Sequence, residues 1–298
     1  MPELPEVETI KNGLQKRIIG LKIIKIQILS SKSFIGNPNL VQGKKVFNVW
    51  RKAKYLGIDL GGISDIDYRI SLLFHLKMTG QLVWKGESGK GKGGRFIGGH
   101  PTEDMVGPLP NNHTRVIFSF SDGSHLYFND QRRFGWVRVI DNGQLTIDKS
   151  LNSLGPEPLA KDFTWAVLKN NLLKHQSMPV KVAIMDQSVV SGVGNIYANE
   201  GCFDAGIDPR TKVSQLSDEQ IKKLHHGIVQ SLNDGIKHGG STKAHFVDAE
   251  GHKGYFLDYA YVYGRDRHKC KVCKTNIRKI QLGNRGTYFC PKCQKSVE

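Results

Sequence analysis

Residues 270–293 read CKVCKTNIRKIQLGNRGTYFCPKC, and the spacing of the four cysteines decides how this end of the chain folds. Two Cys-x2-Cys knuckles, Cys270/Cys273 and Cys290/Cys293, stand sixteen residues apart, which is a zinc-ribbon pattern. Four thiolates complete a tetrahedral shell and leave no open coordination position. The expected cofactor is therefore one structural Zn2+ per chain, holding a module too small to fold on its own core. A four-Cys iron site is the alternative. The fifth cysteine, Cys202, lies alone in a helical stretch and reads as packing. This cysteine usage argues against a disulfide scaffold and for a reducing, cytoplasmic compartment.

The same module is basic. From Tyr261 to Glu298 there are ten Lys or Arg and two acidic residues, a surplus of +8. Half of the net charge of the whole chain, +16 over 298 residues, thus lies in about an eighth of its length. Such a surplus favours a polyanionic partner, a nucleic acid or an anionic membrane surface. No apolar run approaches the ~18 residues that span a bilayer, so the membrane reading falls away. The start, MPELPEVETI, is acidic and broken by prolines, unlike a signal peptide. Tyr288 and Phe289 sit near Arg285, on an expected hairpin between the knuckles, where an arginine could read a groove or a phosphate.

Upstream, the chain divides by periodicity. Residues 21–29, 46–60, 70–76, 115–120 and 126–128 alternate or run apolar as short strands, with Ser121-Asp122-Gly123-Ser124 as a hairpin turn. Before them, Glu6 to Lys16 reads as a helix, with Pro5 near its first turn and Val7, Ile10 and Leu14 at helical spacing. After Gly155-Pro156-Glu157-Pro158 the pattern becomes helical. Asp162 is the expected N-cap of a helix over 163–174; a second stretch covers 191–204, and a third 216–236 with Ser217 as N-cap. The expected fold is α+β and multidomain. It comprises an N-terminal β-sandwich with one N-terminal helix (1–145), a helical domain (155–240) and a zinc ribbon (261–298). Lys85 to Asn112 holds eight Gly, four basic residues and three Pro, and reads as a solvated, partly disordered insertion rather than a basic flap.

The N-terminus offers chemistry. Removal of Met1 before a small residue would leave Pro2 as a secondary amine, titrating near ~8 and hence partly nucleophilic at neutral pH. Such an amine condensing with a sugar carbon gives an iminium ion, a permanent cation that acidifies the neighbouring C–H and permits elimination. Glu3 beside it could donate or accept a proton. Alone, Pro2, Glu3, Pro5 and Glu6 are also what an ordinary helix start looks like.

The two ends together go further. MPELPEVET, AKYL (53–56), HLKMTG (75–80), DQRRFG (130–135), LGPEPL (154–159), VGNIYANE (193–200), GYF (254–256), YGR (263–265) and the four-Cys ribbon run in order along the chain. In this the sequence resembles the formamidopyrimidine-DNA glycosylase family. The resemblance implies a bifunctional base-excision repair enzyme of three parts: a β-sandwich, a helix–two-turn–helix domain and a zinc finger, with duplex DNA in the cleft between the halves. It implies that a damaged purine, 8-oxoguanine or a formamidopyrimidine, is flipped out of the stack. It also implies a Schiff base on Pro2, with Glu3 as the acid that opens the ribose, Lys54 as proton donor for β-elimination and Arg285 in δ-elimination. Met78, Arg132 and Phe134 match the set that fills the vacated duplex, the arginine serving the orphaned cytosine. Asn195 and His113 are implied DNA contacts, and Arg133 reads as structural or phosphate-facing.

The chain departs from the family pattern in its long insertion, in DQRRFG for the commoner DPRRFG, and in DAEGHKGYF (248–256), slightly longer than the usual lesion-capping loop. Two alternatives remain. An endonuclease VIII-like enzyme for oxidised pyrimidines would share the fold, but its start usually reads PEGPE and it lacks the Met, Arg, Phe set. A non-catalytic zinc-ribbon DNA-binding protein would not need Pro2, Glu3 and Lys54. The expected partner is damaged double-stranded DNA, engaged by a monomer, with the remaining positive charge around Lys54 and Arg132 giving salt-sensitive affinity.

Overall fold

Val7, Ile10, Leu14 and Ile18 recur at helical spacing, and in the computed structural model of the protein they form the buried stripe of α1 (Leu4–Ile18). The structure describes residues 1–61, 70–87, 94–99, 107–141, 149–241 and 256–295. These fall into two compact units, the first within Met1–Asn152, the second comprising Ser153–Ser241 and residues 256–295.

In the first unit, α1 is followed by β1 (Ile23–Ile28), β2 (Phe34–Ile35), β3 (Val46–Lys52), β4 (Tyr55–Leu60), β5 (Ile70–His75), β6 (Gly80–Lys85), β7 (Arg95–Gly99), β8 (Thr114–Phe120), β9 (His125–Asp130) and β10 (Trp136–Asp141). They make two five-stranded sheets, ordered β1-β8-β9-β6-β7 and β2-β10-β5-β4-β3. Alternation sends Leu82, Phe118, Leu126 and Phe128 of one sheet against Leu56, Ile58, Leu72 and Phe74 of the other. Phe74 meets Phe118 and Phe128 edge to face at 5.9 and 6.1 Å.

The insertion is not simply a solvated segment. Its central part is β7, which pairs with β6 at the edge of the first sheet and packs on α1. Phe96 and Ile97 are buried there, and the guanidinium of Arg17 lies 4.8 Å from the centre of the Phe96 ring. A Cβ at Gly13 would come within 2.1 Å of that ring, so helix and strand approach as closely as glycine allows. Glycine-rich composition hid an edge strand whose alternate side chains pack inward. Residues 88–93 and 100–106 of the insertion, and 248–255 of the proposed capping loop, lie outside the described residues.

The second unit holds α2 (Trp165–Leu172), α3 (Asn195–Asp204), α4 (Asp218–Lys237) and the hairpin β11 (Arg278–Leu282) and β12 (Arg285–Phe289). The expected cap Asp162 is displaced: Thr164 caps α2, its hydroxyl accepting the Val167 N–H at 3.3 Å, while Phe163 turns inward to the core. The second helix begins at Asn195 rather than Ser191. Gly192 takes a φ of +82°, and its amide donates to Gln187 Oε1, holding residues before the helix in a turn. α4 starts with Ser217 as N-cap, as its sequence indicates, with Ser217 and Gln220 forming a capping box. α3 and α4 cross where a Cβ on Gly227 would stand 2.5 Å from the Gly201 carbonyl oxygen. No helix among the described residues is long and apolar enough to cross a membrane.

Candidate active site and nucleic-acid interface

Pro2 is buried and Glu3 is the N-cap of α1, only 3% exposed. The Glu3 amide donates to Glu6 Oε2 at 2.7 Å, so the helix's own first turn fixes the backbone that carries both residues. Met1, by contrast, is exposed.

Lys54 occupies the turn between β3 and β4 and is 6% exposed. The turn is tight enough to put Ala53 in the left-handed region, with φ +53°. Arg51 ties it to α1: its Nε donates to Glu8 Oε2 at 2.8 Å and its Nη1 to the Ala53 carbonyl at 3.1 Å. Burial raises the Glu8 pKa, but hydrogen bonds from Lys11 and Arg51, and their charges, outweigh it and leave the carboxyl below its ordinary value. The helix that presents Pro2 and Glu3 and the turn that presents Lys54 are thereby held by one charged link.

His75, at the end of β5, belongs to the same neighbourhood and carried no assignment in the sequence. Burial, then the charges of Lys77 and Lys54, push its pKa down to about 3. Its Nδ1 accepts the Lys77 amide at 3.0 Å, so the neutral ring keeps its proton on Nε2. Tyr55 packs edge-on against it at 4.6 Å.

Met78 is half-buried in the loop after β5; Arg132 and Phe134 are exposed in the loop after β9. Phe134 keeps 55% of its surface exposed and stacks under the Arg132 guanidinium, 5.0 Å from the ring centre. The neighbours Lys77 and Arg133 both have left-handed backbones, φ +52° and +58°. An exposed aromatic ring, a stacked arginine and strained loop residues make a wedge suited to entering a base stack. His113 is half-buried, and its carbonyl accepts the Asp130 amide at 2.9 Å at the base of that wedge.

In the second unit, Asn195 begins α3, and its side chain reaches the zinc hairpin, Nδ2 donating to the Gly286 carbonyl at 3.1 Å. Lys181, wholly buried, donates to Asn195 Oδ1 at 2.5 Å and to Thr287 Oγ1 at 3.1 Å. Asn199 Oδ1 takes the Tyr288 amide at 2.7 Å. Arg285 is exposed at the start of β12, after a two-residue turn in which Gly283 and Asn284 both have positive φ. Beside it, Asn195, Tyr263, Lys279, Gln281, Gly286 and Tyr288 line an open depression of about 550 Å³. Lys181 and Lys279 are additions to the sequence-derived set.

The four thiols of Cys270, Cys273, Cys290 and Cys293 all lie within 4.8 Å of one another, with pairs at 3.9 and 3.3 Å. A tetrahedral zinc with ~2.3 Å bonds needs sulfurs ~3.8 Å apart, so the donor set fits the ion in both chemistry and size. Cys270 and Cys290 pack with Phe203 of α3, Val262 and Ile277, so the metal site closes a small core. Cys202 is a packing residue, its thiol pushed up to about 12 by burial.

Family profiles match in the same order as these parts. Residues 1–137 match the formamidopyrimidine-DNA glycosylase N-terminal domain, 154–247 its H2TH domain, and 267–295 the zinc finger found in FPG and IleRS. The formamidopyrimidine-DNA glycosylase of Bacillus subtilis (strain 168) is 36% identical over 301 residues, covering 99% of each chain. That of Prochlorococcus marinus (strain MIT 9211) is 37% identical over 305 residues, covering 99% of this chain and all of the relative. Among solved structures, a Lactococcus lactis FPG mutant in complex with a Fapy-dG containing DNA superimposes with a TM-score of 0.83 at 32% identity. It covers 99% of this chain and 100% of that one. A complex of Lactococcus lactis Fpg with an abasic site containing DNA gives 0.83 at 31%, with the same coverage.

Proposed function

The chain belongs to the formamidopyrimidine-DNA glycosylase family, and from that membership we propose that it removes oxidised purines from duplex DNA through a Schiff base on Pro2. It is a base-excision repair glycosylase with associated lyase activity, acting on damaged DNA and carrying one structural zinc. The finer chemistry is our reading. A stacked purine is out of reach, so 8-oxoguanine or a formamidopyrimidine is everted into the enzyme. Once Met1 has been removed, the Pro2 nitrogen is an amine rather than an amide and can attack the sugar C1′ as the base departs. Glu3 protonates the ring oxygen, the ribose opens, and the nitrogen lone pair completes an iminium ion at C1′. That cation acidifies C2′, whose proton loss expels the 3′ phosphate. Lys54 serves the proton transfers of this β-elimination, and Arg285 the later δ-elimination that releases the 5′ phosphate. Met78, Arg132 and Phe134 occupy the vacated space, with Arg132 on the orphaned cytosine.

The observation that supports this reading is the charged link from α1, the helix that follows Pro2 and Glu3, through Glu8 and Arg51 to the turn that carries Lys54. Borohydride trapping on duplexes containing 8-oxoguanine tests it. A covalent adduct is expected with the Met1-processed enzyme, and its loss with Pro2→Gly or an N-terminal tag. Unchanged trapping in those forms would disprove the proline mechanism, and a strong preference for thymine glycol would move the substrate to oxidised pyrimidines.

A further inference from the structure

Met78 and the Arg132–Phe134 pair lie on different loops, one after β5 and one after β9, yet a single buried carboxylate serves both. The Thr79 hydroxyl donates to Asp130 Oδ1 and accepts the Arg132 amide at 3.0 Å. The Arg132 amide also lies 3.3 Å from Asp130 Oδ1, and the Gly135 amide donates to Asp130 Oδ2 at 2.6 Å. Asp130 is fully buried and Thr79 nearly so. Behind them, the Asp130 carbonyl accepts Arg115 Nε at 2.8 Å, while its amide donates to the His113 carbonyl.

Burying a carboxylate is costly unless its oxygens are well used. Among the described residues, the three bonds made by this one all go to groups in the two loops, and none to the strands that flank β9. The loops also have no slack. A Cβ on Gly135 would stand 2.9 Å from the Phe128 ring and 3.2 Å from the Leu76 carbonyl oxygen. A Cβ on Gly80 would stand 2.3 Å from that same oxygen. The left-handed Lys77 and Arg133 sit beside Met78 and between Arg132 and Phe134, conformations that persist only where surroundings enforce them.

We propose that Asp130 and Thr79 are positioning residues for lesion recognition, locking the Met78 loop and the Arg132–Phe134 loop into one unit that enters the duplex together. This rests on the void-filling reading of those three side chains. The clamp's effect is preorganisation: the wedge meets the duplex already ordered, so the cost of arranging two loops is not added to the cost of opening the stack.

The test uses Thr79→Val, which keeps shape and removes the hydroxyl, with Thr79→Ser as the restoring variant and Asp130→Asn alongside. Excision of 8-oxoguanine under single-turnover conditions is expected to slow about tenfold in Thr79→Val and to recover to within about twofold in Thr79→Ser. A 2-aminopurine placed beside the lesion reports unstacking, and its fluorescence rise should slow by the same factor. In a Met78→Ala/Arg132→Ala/Phe134→Ala background, adding Thr79→Val should cost less than about twofold, because the side chains on the loops it positions are already removed. Wild-type rates in Thr79→Val, full additivity in the blunted background, or failure of Thr79→Ser to recover would each overturn the proposal. If Met78→Ala/Arg132→Ala/Phe134→Ala itself excises at the wild-type rate, the void-filling reading fails instead. Should Asp130→Asn melt well below the wild type, the two Thr79 variants alone decide.

Discussion

Lys181 Nζ lies 2.5 Å from Asn195 Oδ1 and 3.1 Å from Thr287 Oγ1, a fully buried ammonium joining the first turn of α3 to the zinc hairpin. Asn195 then passes the connection on through Nδ2 to the Gly286 carbonyl. The two surfaces read as DNA contacts, the N-terminus of α3 and the residues around Arg285, are thus registered against each other by Lys181 together with Asn195 and Asn199. Helix N-termini favour anions through their unpaired amides, but only a fixed helix presents them at a fixed place.

Replacing Lys181 with Met keeps much of the volume and leaves Asn195 and Thr287 without this donor. Lost buried hydrogen bonds of this kind cost about 1–3 kcal/mol. Lys181→Met should therefore lower the melting temperature by several degrees and weaken binding to a duplex carrying an abasic analogue about tenfold. Fluorescence anisotropy with thermal melting measures both. Unchanged affinity would show that the register between α3 and the hairpin does not matter for DNA.

Zinc removal should act locally and completely. The thiols of Cys270 and Cys290 share a small core with Phe203, Val262 and Ile277, and that core has little apolar area to stand on without the metal. Chelation is expected to abolish duplex binding while the sandwich of the first unit stays folded. Near-ultraviolet circular dichroism and anisotropy, followed during titration with a strong chelator, would separate the two effects. Full affinity in metal-free protein would contradict the arrangement.

What could be read in the sequence depended on whether the signal was local. Cysteine spacing located the metal site because the ribbon's geometry is set by two short knuckles. Ser217, with Gln220 three residues on, marked the start of α4 because a capping box is written within one turn. Thr164 displaced Asp162 as the cap of α2 because Phe163 is drawn into the core, a tertiary effect no local pattern reports. β7 was hidden by its glycines, two of which, Gly98 and Gly99, are there for close approach to Ile10 and to the backbone of β6. Lys181 and His75 look like ordinary residues in the sequence and gain meaning from burial beside Asn195 and Lys54. The Thr79–Asp130 contact joins positions 51 apart, and nothing in either segment announces the other.

Arg51 is a test of how the Lys54 turn is held. Its side chain bonds both to Glu8 on α1 and to the carbonyl of Ala53, whose left-handed backbone needs outside support. Arg51→Leu removes that support and leaves Glu8 with Lys11 as its cationic partner. Expected are a loss of about 1–3 kcal/mol in stability and a fall of about tenfold in the rate of borohydride trapping, with duplex affinity little changed. Arg51→Lys should recover only part of the rate, since an ammonium cannot reproduce the two-directional guanidinium contact. Wild-type trapping in Arg51→Leu would show that α1 and the turn are positioned by packing alone.

His75 gives a pH dependence with a definite sign. A histidine in the unfolded chain titrates near ~6.5, whereas burial, then the charges of Lys77 and Lys54, push it down to about 3 in the fold. Between those limits the unfolded chain binds a proton that the folded chain refuses, so acidification favours unfolding. Its neutral form contributes fully above pH ~6.5, and stability then falls by up to ~1.4 kcal/mol per pH unit as acidity increases. Lowering the pH from 7 to 5.5 should accordingly cost the wild type about 1 kcal/mol more than His75→Gln, which has no titrating ring. Urea denaturation of the two proteins at both pH values measures the difference. Equal losses would mean that His75 is as free to take a proton in the fold as in the unfolded chain, and that the ring beside Lys54 is not held neutral.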